Sequence, residues 1–399
     1  MDTDVCVVGA GPAGLVLAML LARSGVRVAV LEKSSARQRP FRGEILQPGA
    51  LAILDELGVL AGARAQGYHE HTGFQVVEQG RVLLDIDYRA LPGPYNHLLS
   101  VPQAHVLDEL LRLCGEYEGF SYHEGVRVDG LLHDGDSVTG VTAGEHTVRA
   151  KVVVGADGQF SKVRRLAGID AGRQESFDSD VLWFKLSGVD GAATSVRVFR
   201  AGANPALVYR SWPDKLQVGW TLPHGGYREL AARGIGHIRA ELVRALPPYA
   251  DLITEQVTSL KDVRLLDVFG GRAERWALDG LVLVGDAAHT HSPIGAQGIN
   301  LAIQDAVLVH PILVEALRQS DFGVQRLSSF EHLRTPDVAK VLRMQAMQSK
   351  AMLSTGFAAT RIRPKLAWVV KHTPLYHKVL DYVAYGNRSI RVDQSVSIR

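Results

Sequence analysis

Three short stretches of this chain carry residue types at spacings that can do chemistry. The first is Gly9-x-Gly11-x-x-Gly14, set between the apolar run Val5–Val8 and the helix-forming stretch Leu15–Ser24. Gly9 at this place permits a tight turn, Gly11 lets the backbone approach a pyrophosphate, and Gly14 lets helix and strand pack closely. The helix start, with Pro12 and Ala13, offers free N–H groups and a partial positive charge to phosphates. That dipole contributes only about 0.3–1 kcal/mol when exposed and about 2 kcal/mol when partly buried. It cannot hold a dinucleotide alone, so the acid closing the next strand matters. Glu32, followed by Lys33, stands close to the roughly 20-residue offset at which a carboxylate accepts hydrogen bonds from a ribose. The pattern signals a dinucleotide and does not separate FAD from NAD.

The second stretch runs Val152–Val154 into Gly155-Ala156-Asp157-Gly158, with Ser161 and Arg164 following. Taken alone it is a strand ending in a turn, with Ser161 placed to cap a helix. The third runs Leu281–Val284 into Gly285-Asp286-Ala287-Ala288-His289, then Pro293, Gly295, Gln297, Gly298, Ile299, Asn300 and Asp305. An acid at a strand's carboxyl end, followed by a glycine-rich loop and a helix, suits a polyol and an anion. Asp286 can accept from the hydroxyls, and the helix beginning near Gly298 can face a developing negative charge.

The elements that must position these residues follow from periodicity. Val5–Val8, the first helix and Val26–Leu31 make a βαβ unit. Helices are expected over 48–57 and 103–114, a hairpin over 74–88 around Gln79–Gly80, and short strands at 126–128, 138–141, 148–150 and 152–154. From about Asp178 to Pro223 the pattern turns all-β, with turns at Asp190–Gly191, Ala201–Gly202 and Pro213–Asp214. A helical stretch over 227–246 precedes a strand at 263–269, and the remainder is mostly helix: 298–314, 330–352 and an amphipathic tail near 365–385. The fold class is therefore α/β, a Rossmann-like dinucleotide-binding domain with a β-rich block inserted into it. The expected parts of the first domain are 1–72, 101–177 and 271–314. The block takes 73–100 and 178–270, and a helical region spans 315–399.

Composition excludes several classes. With 399 residues, two to three domains are expected at roughly 150 residues each. Lys and Arg number 44 against 42 acids, without blocks of like charge, which argues against a nucleic-acid surface. The two cysteines, Cys6 and Cys114, are too few for a disulfide framework and are read as buried thiols of a cytoplasmic protein. The apolar N-terminus is punctuated by glycines and meets Arg23 before it could span a membrane, and it reads as no signal peptide. His69 with His71, and His289 with His291, lack a third clustered ligand, so no metal site is expected.

In this order and spacing, the three motifs resemble the class A flavoprotein monooxygenases, the aromatic hydroxylases related to p-hydroxybenzoate hydroxylase. Arg42-Gly43-Glu44 looks like the family's arginine segment at the FAD diphosphate, and Gln103 matches a flavin-contacting position. Asp157-Gly158, with Arg164 after it as a further expected cofactor contact, matches a segment used for FAD and NAD(P)H, Gly285-Asp286 the ribityl-binding pair, and Pro293 to Gly298 the loop along the isoalloxazine. Phe330-Glu331-x-x-Arg334-x-Pro336 looks like the helix that follows it. The resemblance implies FAD as cofactor, NADH or NADPH as reductant, and transfer of one oxygen from O2 through a flavin C4a-hydroperoxide, hydroxylating or epoxidising the substrate, with the protein supplying position and electrostatics. Nicotinamide is expected in a groove near Arg42 and Asp157. The chain ends without room for the C-terminal thioredoxin-like domain of larger relatives and is closer to short members acting in secondary metabolism.

The β-rich block should wall a substrate cavity opposite Pro293. Tyr209, Arg210, Trp212 and Trp220 are its candidate substrate contacts, with Arg210 the candidate carboxylate anchor. Alternation leaves open whether Leu216, Val218 and Trp220, or Gln217, Gly219 and Thr221, face inward. The expected substrate is a bulky, mostly neutral aromatic, of polyketide or quinolone type. Competing readings are a flavin-dependent reductase of isoprenoid double bonds and a non-catalytic flavin-binding module. A flavin halogenase is disfavoured because no tryptophan has another two positions on.

Overall fold

Val5, Cys6 and Val7 are wholly buried, as a strand covered on both faces must be. Their strand, Asp2–Val8, lies in parallel between Val28–Glu32 and His146–Gly155. Leu281–Leu283 adds in parallel beyond the latter and Phe120–Glu124 beyond the former. The carboxyl ends of these strands share one edge, so the loops opening at Gly9, Lys33, Ala156 and Val284 lie together, where open parallel sheets bind ligands. Ala277–Leu278 and the meander Gly130–Asp134, Ser137–Ala143 complete the sheet in antiparallel fashion. Helix Pro12–Arg23 packs against Gln103–Cys114 and Gly298–Gln319. Gly298–Gln319 is the one helix among the described residues long and apolar enough to cross a membrane, and it is mostly buried in this core. Both cysteines are buried free thiols, with burial pushing each up to about 12.

The computed structural model describes residues 1–35, 43–174, 179–188, 194–200, 204–266, 269–293, 295–353 and 373–398. Arg42, the turns at Asp190–Gly191 and Ala201–Gly202, and the tail from 354 to 372 lie outside these.

The β-rich block is a seven-stranded sheet in the order Arg264–Leu266, Ser179–Ser187, Lys215–Pro223, Ala206–Ser211, Ser195–Arg200, Gly73–Glu78, Arg81–Asp87. The expected hairpin is its outer pair, turning at Gln79 and Gly80 with φ of 48° and 75°, the two positive values a type I′ turn requires. Alternation then separates two faces. Leu182, Phe184, Val208, Val218 and Trp220 pack under helices Ile235–Ala245 and Ala250–Gln256. Val181, Trp183, Val196 and Tyr209 face the other way, where they meet Ile45, Leu98 and Tyr385 and, at the margin, Phe74 and Ala296.

Some elements differ from the sequence expectation. The helical stretch over 227–246 is two helices, Tyr227–Ala232 and Ile235–Ala245, parted at Gly234 with φ 81°. Residues 126–128 are a loop, and the strand lies earlier, at Phe120–Glu124.

Candidate active site

The phosphate end is built from backbone. Gly9 has φ 109°, and a Cβ there would stand 2.4 Å from the Ala156 carbonyl oxygen, so no other residue fits. Gly11 precedes helix Pro12–Arg23 without any side-chain cap, which leaves the first-turn N–H groups for an anion. Glu32 is buried, and its carboxylate accepts from the Ala10 and Ser34 backbone N–H groups, each at 2.9 Å. It thereby fixes the glycine loop, while Lys33 is exposed.

Gly285 brings the second helix start to the same place. With φ 59°, it sits between the N-terminal ends of Pro12–Arg23 and Gly298–Gln319, where a Cβ would lie 3.2 Å from Ala13 Cβ and 3.4 Å from Ala302 Cβ. Its N–H donates to Asp305 Oδ2 at 2.9 Å. The other Asp305 oxygen accepts from Arg334 Nε at 2.7 Å, and His289 Nε2 lies 2.7 Å from Oδ2. All three side chains are essentially inaccessible. Burial pushes the Asp305 carboxyl up, but His289 and Arg334 more than offset it and hold it below its usual value. His289 Nδ1 meets His291 Nε2 at 2.7 Å, and burial holds His291 well below its ordinary value, so that ring is neutral. The His289 nitrogens are therefore taken by Asp305 and His291.

Asp286 stands on the turn Gly285–Ala287, its Oδ1 4.0 Å from where a Cβ of Gly298 would be. Helix Gly298–Gln319 also starts without a side-chain cap. The loop before it is braced from several sides. Gln297 Nε2 donates to the Gly295 and Val383 carbonyls, at 3.1 and 2.9 Å, and Asn300 Nδ2 donates to the Ala296 carbonyl at 2.5 Å. Gln47 donates its backbone N–H to Asn300 Oδ1 at 2.9 Å and its amide to Gly295 O at 3.0 Å, and Tyr88 donates to Gln47 Oε1 at 3.2 Å. Gln47 was not read from the sequence; its signal is its place between Gly43-Glu44 and the helix opening at Pro48. Pro293 and Ile299 are half-buried on this loop and helix start. Two uncapped helix starts and glycine-lined turns at one sheet edge fit a dinucleotide with its diphosphate at the first and its flavin at the second.

Two expected cofactor contacts are engaged within the protein. The Asp157 carboxylate accepts from Ser161 Oγ, Lys162 N and Val163 N at 2.5, 2.6 and 3.1 Å, and so caps helix Lys162–Leu166. Arg164 is buried and donates to the Ala287 and Gln159 carbonyls at 2.7 and 3.0 Å, tying this turn to Gly285–Ala287. Gly158 and Gly43 have open space at their Cβ positions, and Gln103 is half-buried at the start of its helix.

On the substrate side, the structure separates the four candidates. Tyr209 is buried on the inner face, its ring edge-on to His71 with centroids 6.2 Å apart. Trp220 points into the helix-covered core, so Gln217, Gly219 and Thr221 are the inward set. Arg210 lies 3.9 Å from Asp214, on a strand position alternating with Tyr209. Trp212 is 38% exposed and lies over Gly67 and against His69. Trp183, which sequence reasoning missed, crosses the inner face at Gly219: a Cβ there would be 3.2 Å from the indole. Beside it, Lys185 Nζ donates to Glu44 Oε1 at 2.6 Å and to Ser211 Oγ at 2.8 Å, and Ser211 donates to Glu44 Oε2 at 2.7 Å.

The sequence matches the FAD binding domain family over residues 2–345. The chain belongs to that family, and its fold and relatives make it a class A FAD-dependent monooxygenase of the kind that serves antibiotic-type secondary metabolism. It is 55% identical over 394 residues to 6-methylpretetramide 4-monooxygenase of Streptomyces rimosus, covering 98% of this chain and 94% of that one. Among solved structures, PqsL of Pseudomonas aeruginosa in complex with 2-aminobenzoylacetate superposes with a TM-score of 0.79 at 25% identity, over 92% of this chain and 100% of that chain. OxyS anhydrotetracycline hydroxylase from Streptomyces rimosus shares the fold, with a TM-score of 0.73 at 24% identity over 96% of this chain and 76% of that one. The reductase and non-catalytic readings give way to the monooxygenase.

Proposed function

We propose that this enzyme hydroxylates a polycyclic phenol of the aromatic polyketide type, using NADH or NADPH as reductant. One observation carries the reading: the inner face of the seven-stranded sheet, with Trp183, Tyr209 and Phe74, belongs to the same apolar cluster as Ala296 of the loop before Gly298. A broad aromatic wall thus meets the cofactor loop directly. The relative named 6-methylpretetramide 4-monooxygenase supports a substrate of that kind.

FAD, when bound, supplies the activation of O2 that delivers one oxygen to an electron-rich ring carbon. In this reading Gly9, Gly11, Pro12, Ala13, Gly14 and the adjoining helix start hold the diphosphate, with Arg42 and Gly43 beside it. Glu32 serves the adenosine ribose, Asp286 the ribityl chain, and Pro293, Gly295, Gln297, Gly298, Ile299 and Asn300 the ring. The start of helix Gly298–Gln319 stabilises negative charge developing there. Helix Pro374–Tyr385 contributes Leu380, Ala384 and Tyr385 to the cluster and so excludes water from the reacting face. Residues 1–72, 101–177 and 271–314 act as the cofactor domain, 73–100 and 178–270 as the substrate domain, and 315–399 as a helical cover.

The test is a panel of simple hydroxybenzoates, alkylquinolones and polycyclic phenols, each incubated with either nicotinamide and analysed by product mass. Efficient oxygenation of a polycyclic phenol supports the reading; efficient, coupled oxygenation of a simple benzoate with none of the polycyclic phenols overturns it.

A further inference from the structure

We propose that Lys185, held in place by Glu44 and Ser211, is the polar anchor of the substrate wall and binds an acidic phenol or enol oxygen at one end of the substrate. The inference rests on the polycyclic-phenol reading above and adds the group that orients such a molecule.

The strand register places Lys185 within the aromatic face. Lys185 pairs with Gln217, and Gln217 with Tyr209, while the next inward set is Trp183 paired with Gly219 and Gly219 with Leu207. Val181 and Trp183 on the Lys185 strand belong to the inner cluster, and Leu182, Phe184 and Leu186 to the opposite core, so alternation sends Lys185 inward. The Gln217 amide is engaged by the Phe184 and Val218 carbonyls at 2.9 and 3.2 Å, leaving Lys185 as the adjoining donor.

The geometry fixes the ammonium without exhausting it. Among the described residues, two of its three N–H bonds go to Glu44 and Ser211. Its side chain keeps 24% of its exposure, against 9% for Glu44. Among the described residues no protein acceptor meets the third N–H. An oxygen carrying partial or full negative charge is what such a donor recognises. A neutral alkoxy group is a poorer acceptor and brings a methyl group against a charge. Arg210, the anchor expected from sequence, cannot do this from the alternate strand position. Arg200 lies at the end of its strand, 3.7 Å from Glu78.

The experiment compares 2-hydroxyanthraquinone with 2-methoxyanthraquinone by calorimetric titration of the FAD-loaded enzyme. Wild type should bind the free phenol about tenfold tighter than the ether, the ratio one charge-assisted hydrogen bond supports. Lys185→Met should abolish the preference while leaving affinity for the ether within about twofold, and Lys185→Arg should keep most of it. Because Lys185→Met leaves Glu44 facing no cation, the double variant Lys185→Met/Glu44→Gln removes both charges and should show the same loss. A purely structural pair would alter FAD content or melting temperature without changing the phenol-to-ether ratio. A preference that survives in the Lys185→Met and double variants overturns the anchor, as does a wild type that binds phenol and ether alike. A wild type that binds neither compound, nor any polycyclic phenol, overturns the reading beneath it.

Discussion

Glu32 and Asp305 are buried carboxylates whose first duty is to backbone. Glu32 takes the N–H groups of Ala10 and Ser34, and Asp305 takes that of Gly285. Glu32→Ala leaves the buried Ala10 N–H unpaired, which costs about 1–3 kcal/mol. We expect roughly tenfold weaker FAD retention or more, read as the flavin-to-protein absorbance ratio after gel filtration; full retention would contradict the role given to Glu32. Arg334→Met strands Asp305 in the core, and breaking such a buried pair costs about 3–5 kcal/mol. The holoenzyme should melt several degrees lower and lose flavin, because the Gly285 turn hangs on the same carboxylate. An unchanged melting curve would show that Asp305 is held adequately by His289 alone.

At the scale of elements, two close approaches govern the site. Gly9→Ala puts a Cβ 2.4 Å from the Ala156 oxygen at φ 109° and should give protein that is unstable or free of flavin, since overpacking alone costs about 1–3 kcal/mol. Normal flavin content in that variant would mean the loop has another conformation. Gly219→Ala should spare flavin content but push the Trp183 indole, raising KM for polycyclic substrates more than it lowers kcat; steady-state kinetics on the best panel substrate checks this. Much of this level was legible in the sequence. Helix Gln103–Cys114 and the Gln79–Gly80 hairpin follow from local periodicity and turn chemistry. Phe120–Glu124 escaped because its strand, Phe-Ser-Tyr-His-Glu, is polar at three of five positions and half-buried at most. The break at Gly234 escaped because a lone glycine is tolerated within a helical pattern. Alternation showed that Lys215–Pro223 has two faces but not which faces inward, since that depends on helices distant in sequence. Trp220 and Arg210 were misplaced for that reason. Glu44 and Lys185, 141 positions apart, meet only through the fold.

For the whole molecule, buried neutral histidines tie stability to pH. Burial pushes His71 and His310 down to about 4 from an ordinary 6.5, and holds His291 well below its ordinary value. Between about pH 6.5 and pH 4 the unfolded chain therefore binds protons that the folded chain does not. Stability should be full above that window and fall as pH decreases through it, by up to roughly 3 kcal/mol for each of His71 and His310. Denaturant midpoints should drop from pH 7 to pH 5, and His310→Gln should make the slope shallower; a midpoint that rises on acidification would contradict the assignment. His310 lies on helix Gly298–Gln319, 2.7 Å from Ser24, which donates to Val396, so the titration bears on the packing of that helix against the end of Pro12–Arg23 and against the segment around Val396. In the proposed reaction these helix starts hold FAD beneath an aromatic wall so that one oxygen reaches a polycyclic phenol. The most direct test is one turnover experiment under isotopically heavy O2, with the purified enzyme, a reduced nicotinamide and a polycyclic phenol. A product carrying one heavy oxygen is predicted. A product with two added hydrogens and no label, or unaltered phenol from flavin-replete enzyme across the panel, would contradict it.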